Sequence, residues 1–434
     1  MSEPLPPGPA EVTALGGADI LEAFERARGR YGDLVRLARP GGEVWLVAGP
    51  GPVRAVLAER PEDFGKGSAP RGRRGLHGVP GSGLLTSGGE RLRLARRRLL
   101  QPAFTLDRVD ALTPAVAAAT GATVASWLPG GAPAATVDVY PELEAQAADT
   151  LQRLLFGRVL EDARSRRLRL PLATGVARPG AARAARGAVD EVVAGEVERR
   201  LREPLPRGVE DVLGLLLAAR ERGLIDGRGV LDEMATLVLA GVETTASAGA
   251  FALALLARAP KAQRAVADEV DRVLQGRPPT AADLRRLPQV DAVLDEALRL
   301  FPPIPGAPRR ALRDSLLAGF VVPAGTRLLV SIHALHRHPD HWHAPAVFRP
   351  ERFLAGEPGT RAAFLPFGAG SHLCIGRALA RLQGRLAIAL AVQRLRLGAP
   401  DGERLGRCLA VGLTPGGGTR LSLRARGAAG QRPP

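Results

Sequence analysis

The sequence is poor in cysteine, lysine and aromatic residues, and each shortage narrows the class of protein. Two cysteines among 434 residues, Cys374 and Cys408, are too few for a disulfide scaffold, a four-cysteine zinc site or a four-cysteine iron–sulfur cluster. A single disulfide between them is conceivable, but two reduced thiols in a cytoplasmic chain are the expectation. Aromatic residues make up only 4% of the chain and are not interleaved with the basic ones.

Only two of the 60 basic residues are lysines, and the net charge is +16. Such a charge is compatible with binding to nucleic acid or to an anionic membrane. The arginines are spread along the chain and accompany an excess of Ala, Gly and Pro, which favours the composition of a GC-rich genome. We therefore expect no nucleic-acid partner. A salt-dependent gel shift separates the two interpretations.

Long apolar segments are also scarce. The N-terminal segment MSEPLPPGPAEV lacks the basic and apolar regions of a signal peptide, so we expect no leader. Residues 230–259 form the longest helical pattern, and Glu243 is the only charge between Met234 and Ala257. A transmembrane helix fits that length, but a carboxylate near the middle of a span is costly in lipid. We expect a buried central helix and no membrane anchor.

The remaining pattern predicts one mostly α-helical domain with small β-sheets. Two short β-like runs around Pro40-Gly41-Gly42, within residues 31–48, predict a hairpin, and residues 409–426 predict a second one. We divide the chain into a lead-in (1–30), one domain (31–426) and a C-terminal tail (427–434). Helical spacing recurs in residues 53–59, 90–100, 111–127, 143–155, 189–202, 210–222, 262–275, 291–301 and 375–395.

The most specific motif surrounds Cys374. A thiolate that binds a metal needs N–H donors around the sulfur and a backbone that curls, and Gly368, Gly370 and Gly376 permit the curl. A helix that starts just after Cys374 directs its positive end at the sulfur. Phe367 can shield one side from water. The alternative is a buried structural cysteine in a glycine-rich turn.

This segment matches the signature F-G-x-G-x-H-x-C-x-G, and from about Tyr31 to Arg426 the chain resembles the cytochrome P-450 family of haem-thiolate monooxygenases. The resemblance implies the mostly helical fold of that family and heme b, with Cys374 as the thiolate ligand of the iron. It implies insertion of one oxygen atom from O2 into an apolar small molecule. The sequence contains no flavin or nicotinamide fingerprint, so electrons are expected from a separate ferredoxin or flavodoxin with its reductase.

The resemblance assigns the stretch from Ala240 to Thr245 to oxygen binding. Gly241 would leave room beside the iron, and Glu243 and Thr244 would relay protons through water. The alternative is a helix whose hydroxyl groups bond back to the preceding turn. A haem-binding sensor or an inactive relative is a second functional interpretation, against which the acid–alcohol pair argues. Turnover with NADPH and surrogate partners would decide.

Two further motifs of the family concern structure and haem contacts. Glu296 and Arg299 match its E-x-x-R helix, with Arg352 as the third member of a buried structural network, although such an i,i+3 pair is also common on surfaces. Arg309 and His372 match basic residues that hold the haem propionates.

A third propionate contact is expected from Arg93 or Arg97. Here the chain departs from the family, which often has an aromatic residue or His at the position of Arg93. The sequence does not decide which arginine reaches the haem.

Five of the seven histidines lie in residues 333–343. A zinc site is one interpretation, but no cysteine or spaced carboxylate accompanies them, and structural or surface roles are expected.

The expected pocket is apolar and fits a terpenoid, a fatty acid or a polyketide. The family places two helices over the pocket at the position of residues 163–187. This segment is too short and too poor in large apolar residues to supply both helices. The expected pocket walls are Leu76, Val79, Leu85, Ile304, Ala307, Leu413 and Thr414.

Helical spacing places Arg377, Arg381 and Arg385 on one stripe, which Arg96 and Arg98 could extend. We expect this stripe to attract an acidic electron donor. The alternative is that arginine is abundant everywhere in this chain.

Overall fold

The computed structural model describes residues 5–8, 19–38, 42–66, 81–87, 89–160, 181–203, 211–410, 412–416 and 419–426. The chain divides into two compact units, each made of two chain segments. The first unit contains Met1–Pro70 and Leu298–Cys374, and the second contains Arg71–Ala297 and Ile375–Pro434. The proposed boundaries of a single domain at residues 31 and 426 remain a prediction.

The helices confirm the predicted helical segments. Most ends differ by a few residues, and the helix predicted for residues 189–202 begins eight residues earlier, at Ala181. In the described residues the α-helices are α1 (Ile20–Tyr31), α2 (Pro50–Arg54), α3 (Glu90–Leu100), α4 (Leu106–Ala111), α5 (Thr113–Ser126), α6 (Val139–Phe156), α7 (Ala181–Arg202), α8 (Val212–Glu221), α9 (Gly227–Ala257), α10 (Pro260–Leu274), α11 (Ala281–Leu284), α12 (Pro288–Leu300), α13 (Ile332–Leu335), α14 (Glu351–Ala355), α15 (Pro358–Ala362) and α16 (Arg377–Arg394). A π-helical turn, Ala55–Glu59, continues α2.

Short strands form four small sheets. They are β1 (Leu34–Leu37), β2 (Val44–Val47), β3 (Phe64–Gly65), β4 (Ala134–Asp138), β5 (Gly306–Ala311), β6 (Ser315–Leu317), β7 (Phe320–Val322), β8 (Arg327–Ser331), β9 (Leu395–Gly398), β10 (Arg407–Leu409), β11 (Leu413–Pro415) and β12 (Arg420–Ala425). The first unit holds the sheet β1-β2-β8-β5-β3 and the pair β6-β7. The second unit holds β4-β12-β9 and β10-β11.

The N-terminal hairpin is confirmed, and the C-terminal one is wrong. Strand β1 pairs antiparallel with β2, with Leu34 opposite Val47. Strand β11 pairs with β10 instead of β12, and β12 lies in another sheet, where Ser422 is opposite both Thr136 and Gly398. Alternating apolar residues specify which face of a strand is buried, and they do not specify which strand is its partner.

Helix α9 is the core of the second unit. The Asp226 carboxylate caps it by accepting a hydrogen bond from the Gly229 N–H at 2.7 Å. Helices α6, α7, α8, α10 and α16 contact it, as do β9, β11 and β12. Among the described residues it is the one helix apolar and long enough to cross a membrane, and 78% of its apolar window is buried. That burial is typical of a core helix and confirms the expected buried central helix.

A buried arginine network organises the first unit around the indole ring of Trp342. The fully buried Arg299 side chain donates from Nη1 to the carbonyl groups of His336 at 2.8 Å and Pro345 at 2.7 Å. Its guanidinium carbon lies 5.0 Å from the ring centroid of Trp342. Glu296, one turn earlier on α12, is also fully buried.

Arg352 completes this network from α14. Its fully buried side chain donates from Nη1 to the His343 carbonyl at 2.9 Å and to the Glu357 carboxylate at 3.1 Å. Arg352 and Arg299 both donate to the Val347 carbonyl, at 3.4 and 3.3 Å. The two guanidinium groups therefore hold the irregular segment before α14 in place.

We predict that Arg352→Ala lowers the free energy of unfolding by about 3 kcal/mol, because loss of one member of a buried ion pair leaves its partners unsatisfied. The control is Arg361→Ala, at an exposed position of α15, which should change it by about 0.5 kcal/mol or less. Urea unfolding at fixed pH measures both. Equal losses in the two variants would show that the network is dispensable.

Candidate functional site

The backbone before Cys374 forms a tight curl, which we call the cysteine loop (residues 367–374). The Cys374 N–H donates to the Phe367 carbonyl at 2.9 Å, which closes the curl. Gly368 and Gly370 have φ angles of 73° and 62°, in the left-handed region that favours glycine. The Cys374 side chain is exposed and is a thiol, as is that of Cys408. The geometry matches the curl that the glycines predicted.

The cysteine loop lies directly on the π-helical turn that follows α2. A Cβ atom on Gly370 would lie 2.3 Å from the carbonyl oxygen of Leu57 and 2.7 Å from the Cα atom of Ala58. Such distances are impossible between real atoms, so only glycine fits there. Close contact with this π-helical turn fixes the position of the cysteine loop within the first unit.

His336 connects the segment just before the cysteine loop to the arginine network. Its ring is fully buried, its Nε2 accepts from the Leu365 N–H at 2.9 Å, and its Nδ1 lies 3.2 Å from the Arg299 carbonyl oxygen. Burial is the main cause that lowers the pKa of His336 well below its ordinary value. The ring is therefore neutral, with its proton on Nδ1.

The other histidines of this stretch also have structural contacts. His333 is fully buried against Glu25 at 2.6 Å, and the His338 ring lies 3.0 Å from the Asp33 carboxylate. Within the described parts of the chain, no three His, Cys, Asp or Glu side chains are arranged to hold a metal ion directly. These contacts fit the structural roles expected for the histidines.

The donor set of the first unit fits an iron porphyrin. Cys374 could provide a sulfur ligand, and α16 begins three residues later. The side chain of Arg309 is 92% buried, and His372 is half-buried. Two basic side chains and one thiolate match the two carboxylates and the metal of a porphyrin.

The acid–alcohol segment lies in the middle of α9. Glu243 is buried, whereas Thr244, Gly241 and Ala240 are half-buried. The Thr244 hydroxyl donates to the Ala240 carbonyl at 2.7 Å, which is the back-bonding that the alternative interpretation anticipated. A Cβ atom on Gly241 would lie 3.0 Å from a methyl group of Leu151 on α6. The structure thus gives a packing reason for this glycine, and its role beside the oxygen site remains a prediction.

Two acids of α9 anchor the loop that carries Leu85. The Ser82 N–H donates to the Asp232 carboxylate at 2.7 Å, and the Leu84 N–H donates to the Glu233 carboxylate at 2.9 Å. Between them, a Cβ atom on Gly83 would lie 2.1 Å from the Thr236 hydroxyl oxygen. The loop therefore rests on α9 two turns before the acid–alcohol segment.

The other expected pocket residues lie in both units. Leu413 and Thr414 are buried in β11, which contacts α9. Ala307 lies in β5 of the first unit, opposite Val330, and Ile304 just before it is partly exposed. Leu76, Val79 and most of the shortened segment (163–180) lie outside the described residues, and residues 181–187 begin α7.

The two candidate arginines of α3 differ in burial. Arg93 is buried and donates two hydrogen bonds to the Glu90 carboxylate, one of 2.8 Å from Nε and one from Nη2. Arg97, one turn later, is half-buried. Arg93 already has a carboxylate partner on its own helix.

The predicted arginine stripe is wrong as an exposed docking surface. Arg381 donates to Asp291 at 2.9 Å and to Asp295, and Arg385 donates to Asp291 at 2.7 Å. The side chains of Arg381 and Arg385 are only 22% and 24% exposed. Spacing of i,i+4 places residues on one face without saying what that face meets, and here it meets a matching acidic pair on α12.

The proposed extension of the stripe fails at one of its two positions. Arg96 is buried, with its Nε 3.6 Å from the Glu233 carboxylate. Arg98 and Arg377 are exposed.

Comparison with known proteins agrees with this geometry. The family model of cytochrome P450 matches residues 180–411. Over 400 residues the chain is 36% identical to cyclooctat-9-en-7-ol 5-monooxygenase of Streptomyces melanosporofaciens, covering 86% of this chain and 84% of the relative. Over 407 residues it is 29% identical to pentalenene oxygenase of Streptomyces avermitilis, covering 88% of each. The crystal structure of the cytochrome P450DA haem domain superposes with a TM-score of 0.83 at 27% identity, covering 97% of both chains.

The chain belongs to the cytochrome P450 family. It is a haem-thiolate monooxygenase that takes one oxygen atom from O2, oxidises an apolar small molecule and receives electrons from a redox partner. The expected fold class, cofactor and enzyme class are thereby confirmed.

One prediction concerns the anchored loop. Burial is the main cause that raises the pKa of Glu233 from 4.5 to about 7, although the Leu84 N–H and Arg96 oppose it. Between these two values the folded protein holds more protons on this group than the unfolded chain does. The contribution of Glu233 to the free energy of unfolding should therefore fall as the pH rises from about 4.5 to about 7.

Glu233→Gln keeps an oxygen for the Leu84 N–H and removes the titration, so its unfolding free energy should depend less on pH in this window. Urea unfolding of both proteins at several pH values measures the difference. Parallel pH profiles for the wild type and the variant would contradict the raised pKa.

Proposed function

We propose that Cys374 is the axial ligand of heme b, and that Arg309, His372 and one arginine of α3, Arg93 or Arg97, hold its propionates. The closed cysteine loop, with its exposed thiol just before the N-terminus of α16, is the observation that carries this proposal. Bound haem supplies oxygen activation, and the protein supplies ligand, orientation and proton supply.

Cys374→Ala should abolish the long-wavelength Soret band that the reduced CO complex of thiolate-bound haem shows, because the sulfur ligand is lost. Cys408→Ala, which removes the other exposed thiol, is the matched control and should leave the spectrum unchanged. The measurement is the CO difference spectrum at equal haem content. An intact band in Cys374→Ala would refute the ligand.

We propose the same two-residue proton supply that the sequence suggested, with Glu243 as the acid and Thr244 as the alcohol. Their place in α9 supports it, since Glu243 is buried and Thr244 keeps part of its surface accessible. Because the Thr244 hydrogen is engaged by the Ala240 carbonyl, the Thr244 oxygen presents lone pairs to a water molecule. Glu243 can then deliver a proton to that water.

Thr244→Ala should keep its haem and consume NADPH, but release hydrogen peroxide at the expense of product. We expect product formation to fall by about 10²-fold, as is typical when a proton-transfer group is removed. Thr244→Ser keeps the hydroxyl and should restore most of the product. The ratio of product to NADPH, with a surrogate ferredoxin system, is the measurement. Full coupling in Thr244→Ala would assign the function to another group.

We propose that the substrate is a terpenoid hydrocarbon or alkenol, one of the three classes that the sequence left open. The names of the relatives, a cyclooctat-9-en-7-ol 5-monooxygenase and a pentalenene oxygenase, support this class. So does the apolar character of Leu85 and Leu413, which lie on elements that contact α9.

Cyclic terpenes and terpene alcohols should therefore shift the Soret band of the purified enzyme, by displacing water from the iron, at lower concentrations than fatty acids or polyketides do. Titration of each class under the same conditions measures the difference. A preference for fatty acids would overturn the proposed class without affecting the haem ligand.

We propose a ferredoxin or a flavodoxin as the electron donor and the cytoplasm as the location. Arg377 and Arg98 are the members of the predicted stripe that remain exposed, and Arg377 begins α16 next to the cysteine loop. Two exposed cations predict a weaker dependence of reduction rate on salt than the complete stripe did.

A further inference from the structure

Helices α6 and α9 pack against each other in antiparallel directions along much of their length. A Cβ atom on Gly249 would lie 3.3 Å from a methyl group of Leu143, and one on Gly241 would lie 3.0 Å from a methyl group of Leu151. Residues with increasing numbers along α9 thus face residues with decreasing numbers along α6. Leu143, near the start of α6, therefore meets α9 six residues after Glu243.

Four polar side chains of α6 and α9 interact near this contact, and we call them the α6–α9 polar cluster. Tyr140 and Glu144 are one turn apart on α6, and Glu243 and Ser247 are one turn apart on α9. The Tyr140 hydroxyl faces Ser247 and Glu144, and the Glu243 carboxylate acts on it electrostatically.

Burial within the cluster increases toward α9. Ser247 is fully buried and Glu243 is 94% buried, whereas Tyr140 and Glu144 are half-buried. The cluster therefore runs from the protein surface to the acid of the acid–alcohol pair.

The hydroxyl groups of the cluster are suited to pass a proton without ionising. The buried oxygens of Tyr140 and Ser247 make no hydrogen bond of normal geometry with any residue in the described ranges, and buried hydroxyls that face each other in this way are commonly bridged by water. Burial first, and then the charge of Glu144, raise the pKa of Tyr140 far above its ordinary value, so the phenol stays protonated. Burial also raises the pKa of Glu144, which favours its protonated form.

We propose that Glu144, Tyr140 and Ser247 relay protons from solvent to Glu243. The protonated Glu144 carboxyl gives its proton to the Tyr140 oxygen as the phenol hydrogen passes to the Ser247 oxygen, directly or through water. The Ser247 hydrogen then passes to Glu243. One proton arrives, no hydroxyl is consumed, and Glu144 takes up the next proton from solvent. This inference rests on the proposed role of Glu243 and Thr244.

The first test measures coupling in the holoenzyme. Tyr140→Phe removes one oxygen atom from the relay and should lower product formation about tenfold, with a matching rise in peroxide. The loss should be smaller than the about 10²–10⁴-fold effect of groups that transfer the proton directly, because water can partly replace the hydroxyl. Ser247→Ala should act alike, and Ser247→Thr, which keeps a hydroxyl, should restore coupling. Tyr31→Phe removes the only other tyrosine and is the matched control.

The second test is spectroscopic and independent of turnover. Because the chain has two tyrosines, protein labelled with 13C at the phenol carbon gives two signals in the diamagnetic reduced CO complex. The signal that Tyr140→Phe removes should shift in Ser247→Ala, Glu144→Gln and Glu243→Gln. The Tyr31 signal should stay constant in all three variants.

Full coupling in Tyr140→Phe, or a Tyr140 signal unmoved by Glu243→Gln, would overturn the relay. Lower stability of Tyr140→Phe with unchanged coupling would also overturn it, since the cluster would then serve packing alone. If Thr244→Ala uncouples the enzyme and Tyr140→Phe does not, the relay fails while the acid–alcohol pair stands. If neither uncouples, the acid–alcohol pair itself is refuted.

Discussion

A carboxylate inside an apolar helix is costly unless hydrogen bonds or opposite charges accompany it, and α9 carries three such acids. Asp232 receives Arg186 at 2.6 Å as well as a loop N–H group. Glu233 receives a loop N–H group and lies close to Arg96. Glu243 acts electrostatically on the Tyr140 hydroxyl of α6, and Ser247 lies one turn later on the same helix. The first two acids thus position a loop, and the third belongs to the proposed relay.

In the first unit the buried charged side chains are arginines. Arg299 and Arg352 are fully buried. Their N–H groups donate to carbonyl groups of an irregular segment, which lacks the regular backbone hydrogen bonds of a helix or a sheet. His336 links Arg299 to Leu365, two residues before the cysteine loop. A thiolate must hold its position to within a fraction of an ångström to bind a metal well, and a rigid support of this kind supplies that precision.

Much of the fold followed from local patterns, and the errors have a common physical cause. Helix spacing and the β1–β2 hairpin depend on residues that are close together in the chain, so the sequence predicts them well. The partner of β12 and the acids that face Arg381 lie far away in the chain, and periodicity contains no information about them. For the same reason the buried partners of Arg96 could not be foreseen.

The candidate site divides in the same way. Cys374 and the acid–alcohol pair are recognisable because the chemistry is concentrated in a few consecutive residues. Tyr140 gives no such signal, since it becomes part of a cluster only when α6 packs on α9. Its rarity is the one sequence feature that could have drawn attention, because the chain has two tyrosines.

The hydrogen bond from the Thr244 hydroxyl to the Ala240 carbonyl limits the role that this hydroxyl can have in proton transfer. A hydroxyl has one hydrogen, and in this structure the Ala240 carbonyl accepts it at 2.7 Å. While that bond holds, Thr244 can accept a hydrogen bond but cannot donate a second one, so it can orient a water molecule without giving up its own proton. In the proposed proton supply the proton then comes from Glu243, and each proton that Glu243 gives must be replaced. A buried acid cannot be recharged by bulk solvent directly, which makes a route from the surface a requirement of this geometry.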